Sequence, residues 1–328
     1  MVSRAREARG DVKEQVRARL NIAEVVGAYV QLRKVGKSLV GLCPFHQEKT
    51  PSFNVDPQKG LYYCFGCQAG GDIFDFVMQL EGMAFPEALA LLAEKAGVAL
   101  PAETRAAPSK EQRLKADLWA VNDLAQGFFR RTLEGPRGRK AREYLRMRGL
   151  KPATVQHFDL GYAVDSWDAL RQYLADSSKE AEGIRSGLLV AKSGGGAYDR
   201  FRGRIMFPFV DSRGRVVAFG GRSLGEEEPK YLNSPETLVY AKRRELYGFG
   251  QAKEAMRQKR RAVVVEGYFD CLALHQSGID YAVASCGTTL TTDHVRLLRR
   301  FADDVYLCFD ADTAGRQATA KGLEVLQE

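Results

Sequence analysis

Apolar positions recur at three- and four-residue intervals behind Asp11 and behind Asn21, which predicts two helices opened by those side chains as N-caps. Between Gln31 and Tyr63 the period falls to two, in short runs at 38–42 and 61–63 broken by glycine and proline, the pattern of strands. Asp72 then precedes a helical pattern over 73–80, and a second covers 85–96 and stops at Gly97. Residues 98–109, with Pro101 and Pro108 among alanines, have no period and read as a linker. Helical patterns resume over 111–133 and 139–148 and mix with extended runs to about residue 260. From there the alternation is regular: strands at 261–265, 281–285 and 305–309, helices at 268–276, 292–301 and 314–326. Short apolar strands alternating with helices predict a parallel sheet covered on both faces.

Composition adds less than distribution does. The 328 residues are 45% hydrophobic and 27% charged, enough apolar content for folded cores. No stretch is long and apolar enough to span a membrane, and no apolar signal core follows the basic N-terminus, so a cytoplasmic location without membrane attachment is expected. The net charge of +8 is uneven: 110–148 carries +6 and 199–261 carries +7, whereas 262–328 carries −5. A basic middle beside an acidic end suggests a polyanion track next to a site that gathers cations.

Two segments carry candidate chemistry. Cys43-Pro44-Phe45-His46 and Cys64-Phe65-Gly66-Cys67 are paired knuckles, each with two residues between ligands. Cys43, His46, Cys64 and Cys67 would complete the tetrahedral shell of one structural zinc ion, with no position left for substrate. A zinc ribbon also suits single-stranded nucleic acid, with Lys34, Lys37, Lys49 and Lys59, interleaved with Phe53 and Tyr62, as candidate contacts. Cys271, Cys286 and Cys308 stand in apolar contexts and are expected to be buried thiols.

The second segment is the regular end of the chain. Glu266 follows the first strand, Asp310 and Asp312 follow the third, and in a parallel sheet those strand ends line the ligand crevice. Two like charges about 4 Å apart cost roughly 4 kcal/mol at an effective dielectric of 20, so three converging carboxylates call for a cation. Magnesium or manganese, bound through carboxylates and substrate phosphates, fits, with Asp270 able to support it. Taken singly, each acid could equally be a helix N-cap.

Together these features resemble a bacterial DnaG-type primase. Val264-Val265-Glu266-Gly267-Tyr268-Phe269-Asp270 and Phe309-Asp310-Ala311-Asp312 look like the two acidic motifs of a TOPRIM domain, and the loop 284–290 is similar to the family's. Arg200-Phe201-Arg202-Gly203-Arg204-Ile205-Met206-Phe207-Pro208, Phe219-Gly220-Gly221-Arg222 and the segment 229–237 resemble its hallmarks. The resemblance implies an α/β multi-domain fold: a zinc-ribbon α+β domain over 1–100, a linker over 101–110, a basic polymerase subdomain over 111–260, and a TOPRIM-like parallel sheet over 261–328. It implies RNA primer synthesis from ribonucleoside triphosphates on a single-stranded DNA template by two-metal nucleotidyl transfer. Glu266, Asp310 and Asp312 would hold catalytic Mg2+ or Mn2+. Lys230, Lys242, Arg222, Arg148, Arg202 and Arg204 would meet template, primer or nucleotide. Expected partners include a replicative helicase, engaged through a C-terminal domain beyond residue 328, and single-stranded DNA-binding protein. Two rival readings are a TOPRIM nuclease or topoisomerase, and a non-enzymatic zinc/TOPRIM adaptor on DNA. The intact acid set speaks against the adaptor.

Overall fold

The computed structural model describes residues 2–46, 48–81, 83–101, 109–225, 228–287 and 289–327. Residues 102–108, where most of the expected linker falls, lie outside them, as does Thr288 of the 284–290 loop. The chain divides into two compact units, Met1–Pro108 and Ser109–Glu328.

The first unit runs α1 (Val2–Arg19), α2 (Ile22–Gly27), β1 (Arg33–Val35), β2 (Ser38–Gly41), β3 (Phe53–Asp56), β4 (Leu61–Cys64), β5 (Gly70–Gly71), α3 (Ile73–Glu81) and α4 (Phe85–Lys95). The strands form one antiparallel meander in chain order. Asn21 caps α2 through the Ala23 amide. Asp72 caps α3 through the amides of Phe74 and Asp75, and it also pairs with Arg17 and Lys13 on α1. Asp11 does not cap: α1 starts at Val2 and passes through it. The preceding arginines, alanines and glutamate are strong helix formers, and they outweigh the cost of Gly10. A cluster of Phe45, Phe53, Tyr62 and Phe76 rings, 5.2–6.0 Å apart, packs the sheet against the helices.

The second unit opens with α5 (Lys110–Glu134), α6 (Arg139–Met147) and α7 (Pro152–His157). Then come β6 (Gly161–Ala163), α8 (Ala169–Asp176), α9 (Glu180–Arg185), the β7–β8 hairpin (Leu189–Ala191, Ala197–Asp199), β9 (Arg204–Val210), β10 (Val216–Ser223) and β11 (Tyr231–Asn233). Strands β11-β10-β9-β6 make an antiparallel sheet. After α10 (Phe249–Lys259), the chain continues with β12 (Arg261–Val265), α11 (Tyr268–Gln276), β13 (Ala282–Ala284), α12 (Thr292–Arg299), β14 (Asp304–Cys308) and α13 (Thr313–Gln327). Here β12 lies between β13 and β14, all parallel. One core cluster joins the two sheets, with Phe207 and Phe209 of β9 packed on Tyr247 and Tyr268. Gly220 makes this possible, because a Cβ there would lie 2.0 Å from the Tyr268 hydroxyl oxygen. Edge strand β14 departs from the expected two-sided burial: Tyr306 is half exposed and Cys308 is exposed, whereas Cys271 and Cys286 are buried as expected.

Glu245 lies in the segment between β11 and α10, where burial, reinforced by Asp211, raises its carboxyl to about 7 against the opposing pull of Arg244 and Arg215. The folded form therefore holds a proton that the unfolded chain releases near pH 4.5, so stability falls as pH rises from about 4.5 to about 7. The ceiling on this cost is about 3 kcal/mol. Glu245→Gln should raise the thermal midpoint by several degrees at pH 8 and leave it nearly unchanged at pH 5. Calorimetry at the two pH values reads the difference.

Candidate functional site

Strand β4 ends at Cys64, and the turn after it returns Cys67 toward Cys43 and His46. One ligand atom from each of the four residues lies within 4.8 Å of all the others. The Cys43 and Cys67 sulfurs are 3.7 Å apart, as are Cys64 Sγ and His46 Nδ1. Zinc–sulfur bonds of about 2.3 Å at tetrahedral angles require edges of about 3.8 Å, so the cage has the size of a zinc site. Burial pushes the Cys43 thiol up, so this sulfur needs a cation to stay ionised.

Glu48, which carries no motif, supports this cage. Its carboxylate accepts from the Cys43 and Ser52 amides at 2.7 and 3.0 Å and from the Ser52 hydroxyl, and it faces His46 Nε2 at 3.3 Å. Burial raises its carboxyl, but those hydrogen bonds outweigh it and hold the group below the usual range. The imidazole thus presents Nδ1 to the sulfurs while Glu48 orients Nε2, the usual carboxylate–histidine support of a zinc ligand.

The open face of this meander differs from expectation. Phe53 and Tyr62 are buried, stacked on each other at 5.2 Å, and unavailable to a nucleobase. The exposed rings are Tyr63 and Phe65, 5.0 Å apart edge to face, with Leu61 beside them in the same alternation. Strand register aligns Arg33, Val40, Asn54 and Tyr63 across the sheet. Lys34 falls in the alternate row with Leu39 and Val55. Lys37, Lys49 and Lys59 are exposed, Lys59 within 3.8 Å of Asp56.

In the second unit, Glu266 and Asp310 leave neighbouring parallel strands at the same end, and Glu266 Oε1 accepts from the Asp310 amide at 3.1 Å. Asp312 Oδ1 accepts from the Gly315 amide at 2.7 Å and caps α13. Gly315 is where they meet: a Cβ there would lie 2.1 Å from the Asp310 carbonyl oxygen and 2.8 Å from Glu266 Oε1. Asp270 Oδ2 accepts from the Gly267 amide, so it closes the first turn of α11. Among the described residues, the sulfur–imidazole cage is the group of three or more donors gathered tightly enough to ligate an ion. The acids share a rim, and the Glu266 and Asp312 carboxylates are engaged there with backbone amides.

Beside that rim stands a ladder of rings and guanidinium groups. Arg148 covers Phe269 at 4.6 Å, and Arg222 lies between Tyr144 at 5.7 Å and Tyr231 at 5.3 Å. The buried Arg222 Nε has no hydrogen-bond partner among the described residues. Tyr268 donates to Asn233 Oδ1 at 2.6 Å, and Asn233 Nδ2 donates to the Cys286 carbonyl at 3.1 Å, tying β11 to the loop after β13. Lys230 is exposed and Lys242 partly so. The Lys242 carbonyl faces His294 Nε2 at 3.1 Å, and Thr291 Oγ1 donates to the Arg243 carbonyl at 2.6 Å. Arg204 departs from expectation: it is 4% exposed and donates to the Pro229 carbonyl at 2.9 Å, so it braces the Lys230 segment rather than facing a ligand. Arg202 is partly exposed and rests on Trp167.

Comparison with known proteins follows the same division. Residues 9–108 match the family described as CHC2 zinc finger, residues 128–253 the DNA primase catalytic core, N-terminal domain, and residues 263–328 a Toprim-like family. The DNA primase of Halalkalibacterium halodurans is 45% identical over 322 residues, 96% of this chain and 53% of that protein. The chain spans about half the length of the curated relatives it matches. The zinc-binding and RNA polymerase domains of the Aquifex aeolicus primase superpose with a TM-score of 0.60 at 36% identity, covering 96% of this chain and 76% of that one. A DnaG primase catalytic domain bound to single-stranded DNA superposes with a TM-score of 0.61 at 42% identity, covering 65% of this chain and 67% of that one.

Proposed function

This chain belongs to the family of DnaG-type DNA primases, and from that premise we propose that it synthesises short RNA primers on single-stranded DNA, joining ribonucleoside triphosphates with release of pyrophosphate. What supports the reading is the meeting of Glu266, Asp310 and Asp312 at one rim, together with Arg148 lying over Phe269, three residues beyond Glu266. A phosphoryl-transfer site needs acids for metal and guanidinium groups for phosphate. In this reading residues 1–100 are the zinc-binding domain, 101–110 the linker, 111–260 the basic subdomain and 261–328 the TOPRIM subdomain.

Zinc in the Cys43–His46–Cys64–Cys67 cage is structural. Magnesium at the rim would neutralise the triphosphate and acidify the attacking hydroxyl. The chain's own residues bind and orient. Arg222, held between Tyr144 and Tyr231, and Arg148, over Phe269, would present guanidinium groups to phosphate oxygens. Arg204 fixes the segment that presents Lys230, and α12 fixes the backbone that presents Lys242. On the zinc ribbon, Tyr63 and Phe65 replace Phe53 and Tyr62 as the rings on which template bases stack, with Arg33 in the same row as Tyr63. A replicative helicase and single-stranded DNA-binding protein belong to the same reading, as does a place at the bacterial replication fork.

The test is direct. The protein is incubated with single-stranded DNA, ribonucleotides and magnesium, and short RNA products are expected. Cleavage of the DNA would favour the nuclease reading. Binding without metal-dependent products would favour the adaptor.

A further inference from the structure

The end of α5 and the corner after it carry five cations over residues 130–140, Arg130, Arg131, Arg137, Arg139 and Lys140, against one acid, Glu134. Arg130 faces Asp159 at 3.4 Å, and Arg139 faces Glu143 at 3.8 Å. Arg131 and Arg137 are exposed and form no ion pair among the described residues. Arg131 instead donates to the Tyr173 hydroxyl at 2.8 Å and lies over that ring at 5.3 Å. Both arginines line an open cavity of about 390 Å³, walled also by Phe128, Tyr173 and the Gly135–Pro136 corner.

The cavity follows from the local sequence. Gly135 and Pro136 end α5, and Gly138 lets the chain turn back on it, because a Cβ there would lie 2.0 Å from the Leu133 carbonyl oxygen. Arg142 fixes the corner by donating to the Gly135 carbonyl at 2.7 Å and to that of Leu133. The floor is apolar: the Phe128 and Tyr173 rings lie 5.1 Å apart and both stay partly exposed. Its polar groups are already spent. Thr132 Oγ1 donates to the Phe128 carbonyl at 2.8 Å, and the Tyr173 hydroxyl accepts from Arg131.

We propose that this cavity docks an acidic segment of a partner protein, with an apolar side chain resting on Phe128 and Tyr173 and carboxylates meeting Arg131 and Arg137. Charge complementarity selects an anionic partner, and the floor selects among anions. A nucleobase settled there would leave the donors and acceptors of its edge unpaired, whereas a phenylalanine or leucine side chain loses nothing. Aromatic and arginine side chains around an apolar pocket are also what anchors protein partners. The site does not depend on the primase reading, since none of these residues belongs to the acid rim or to the ladder beside it.

The probe is an end-capped, fluorescein-labelled peptide, Asp-Asp-Glu-Phe-Asp-Asp-Leu-Asp-Glu, titrated with the protein and read by anisotropy. Saturable binding in the micromolar range is expected. The same peptide with serine for phenylalanine and leucine should bind about 10- to 100-fold more weakly. Thr132→Phe, whose ring fills the cavity, should cost at least about 10-fold while leaving the thermal midpoint and the affinity for oligo-dT at wild-type values. Arg137→Glu should cost about 3- to 10-fold at low salt, a loss that shrinks as salt is added. If Thr132→Phe fails to fold, the serine peptide and Arg137→Glu still decide. Equal binding of the two peptides, or full binding by a folded Thr132→Phe, would reduce the effect to surface charge and overturn the proposal. So would absence of binding at millimolar peptide. Loss of oligo-dT affinity in Thr132→Phe, with oligo-dT displacing the peptide, would assign the cavity to nucleic acid and overturn it as well.

Discussion

Cys64→Ser should strip the protein of zinc and melt the Met1–Pro108 unit, while Ser109–Glu328 keeps its own thermal transition. Cys64 is fully buried, ends the strand that carries Tyr62, and touches both the imidazole and the Ser52 hydroxyl. Losing it removes one ligand and opens the turn that returns Cys67. Structural zinc supplies roughly 10 kcal/mol or more of folding free energy in small ligand-built domains. The aromatic cluster cannot replace that alone, because the described residues around the cage, 42–46 and 48–52, lie outside any helix or strand. Metal analysis should fall from one zinc per chain to near zero, with proteolysis confined to the first hundred residues. Glu48→Gln offers a graded companion. It keeps the shape but weakens the grip on His46 Nε2, so zinc affinity should drop about 10- to 100-fold with the fold intact at saturating metal. Full zinc occupancy and unchanged protease resistance in Cys64→Ser would refute the structural role.

The zinc ligands were legible because spacing alone constrains them, and the terminal βαβαβα order because its periods alternate cleanly. What period and motif did not reveal depended on side-chain direction. Once Cys64 is taken to face the metal and the core, a period of two puts Tyr62 on its side and Tyr63 on the other. Residues adjacent in the chain therefore face opposite sides of the sheet, and only that anchor separates the available rings from the buried ones. Arg204 lies between Arg202 and the strand-forming run 205–210, and only the fold reveals that its side chain donates to the carbonyls of Gly221 and Pro229. Glu48 is one acid among many until the turn brings it under His46. Asp11 shows the reverse case, a good capping residue overruled by helix formers on its N-terminal side.

Gly315→Ala should abolish primer synthesis, by at least about 100-fold, while Glu266→Gln does so without disturbing the fold. The two act on the same rim by different routes. In Gly315→Ala the new methyl group would occupy a point 2.1 Å from the Asp310 carbonyl oxygen, which no real contact allows, and 2.8 Å from Glu266 Oε1. Backbone cannot yield as a flexible side chain does, so the start of α13 must move, carrying Asp312 away from Glu266. Gly322→Ala, two turns along the same helix, is the control: its Cβ meets the Leu307 Cδ1 atom at 2.9 Å, a side chain able to turn aside, and alanine improves helix propensity. Gly322→Ala should therefore keep activity within a few-fold. Glu266→Gln leaves an oxygen to accept from the Asp310 amide but removes the negative charge, so its thermal midpoint should match wild type while magnesium-dependent synthesis is lost. Primer assays and calorimetry on the three variants distinguish geometry from charge. Synthesis at wild-type rates in both Gly315→Ala and Glu266→Gln would move the catalytic centre away from this rim.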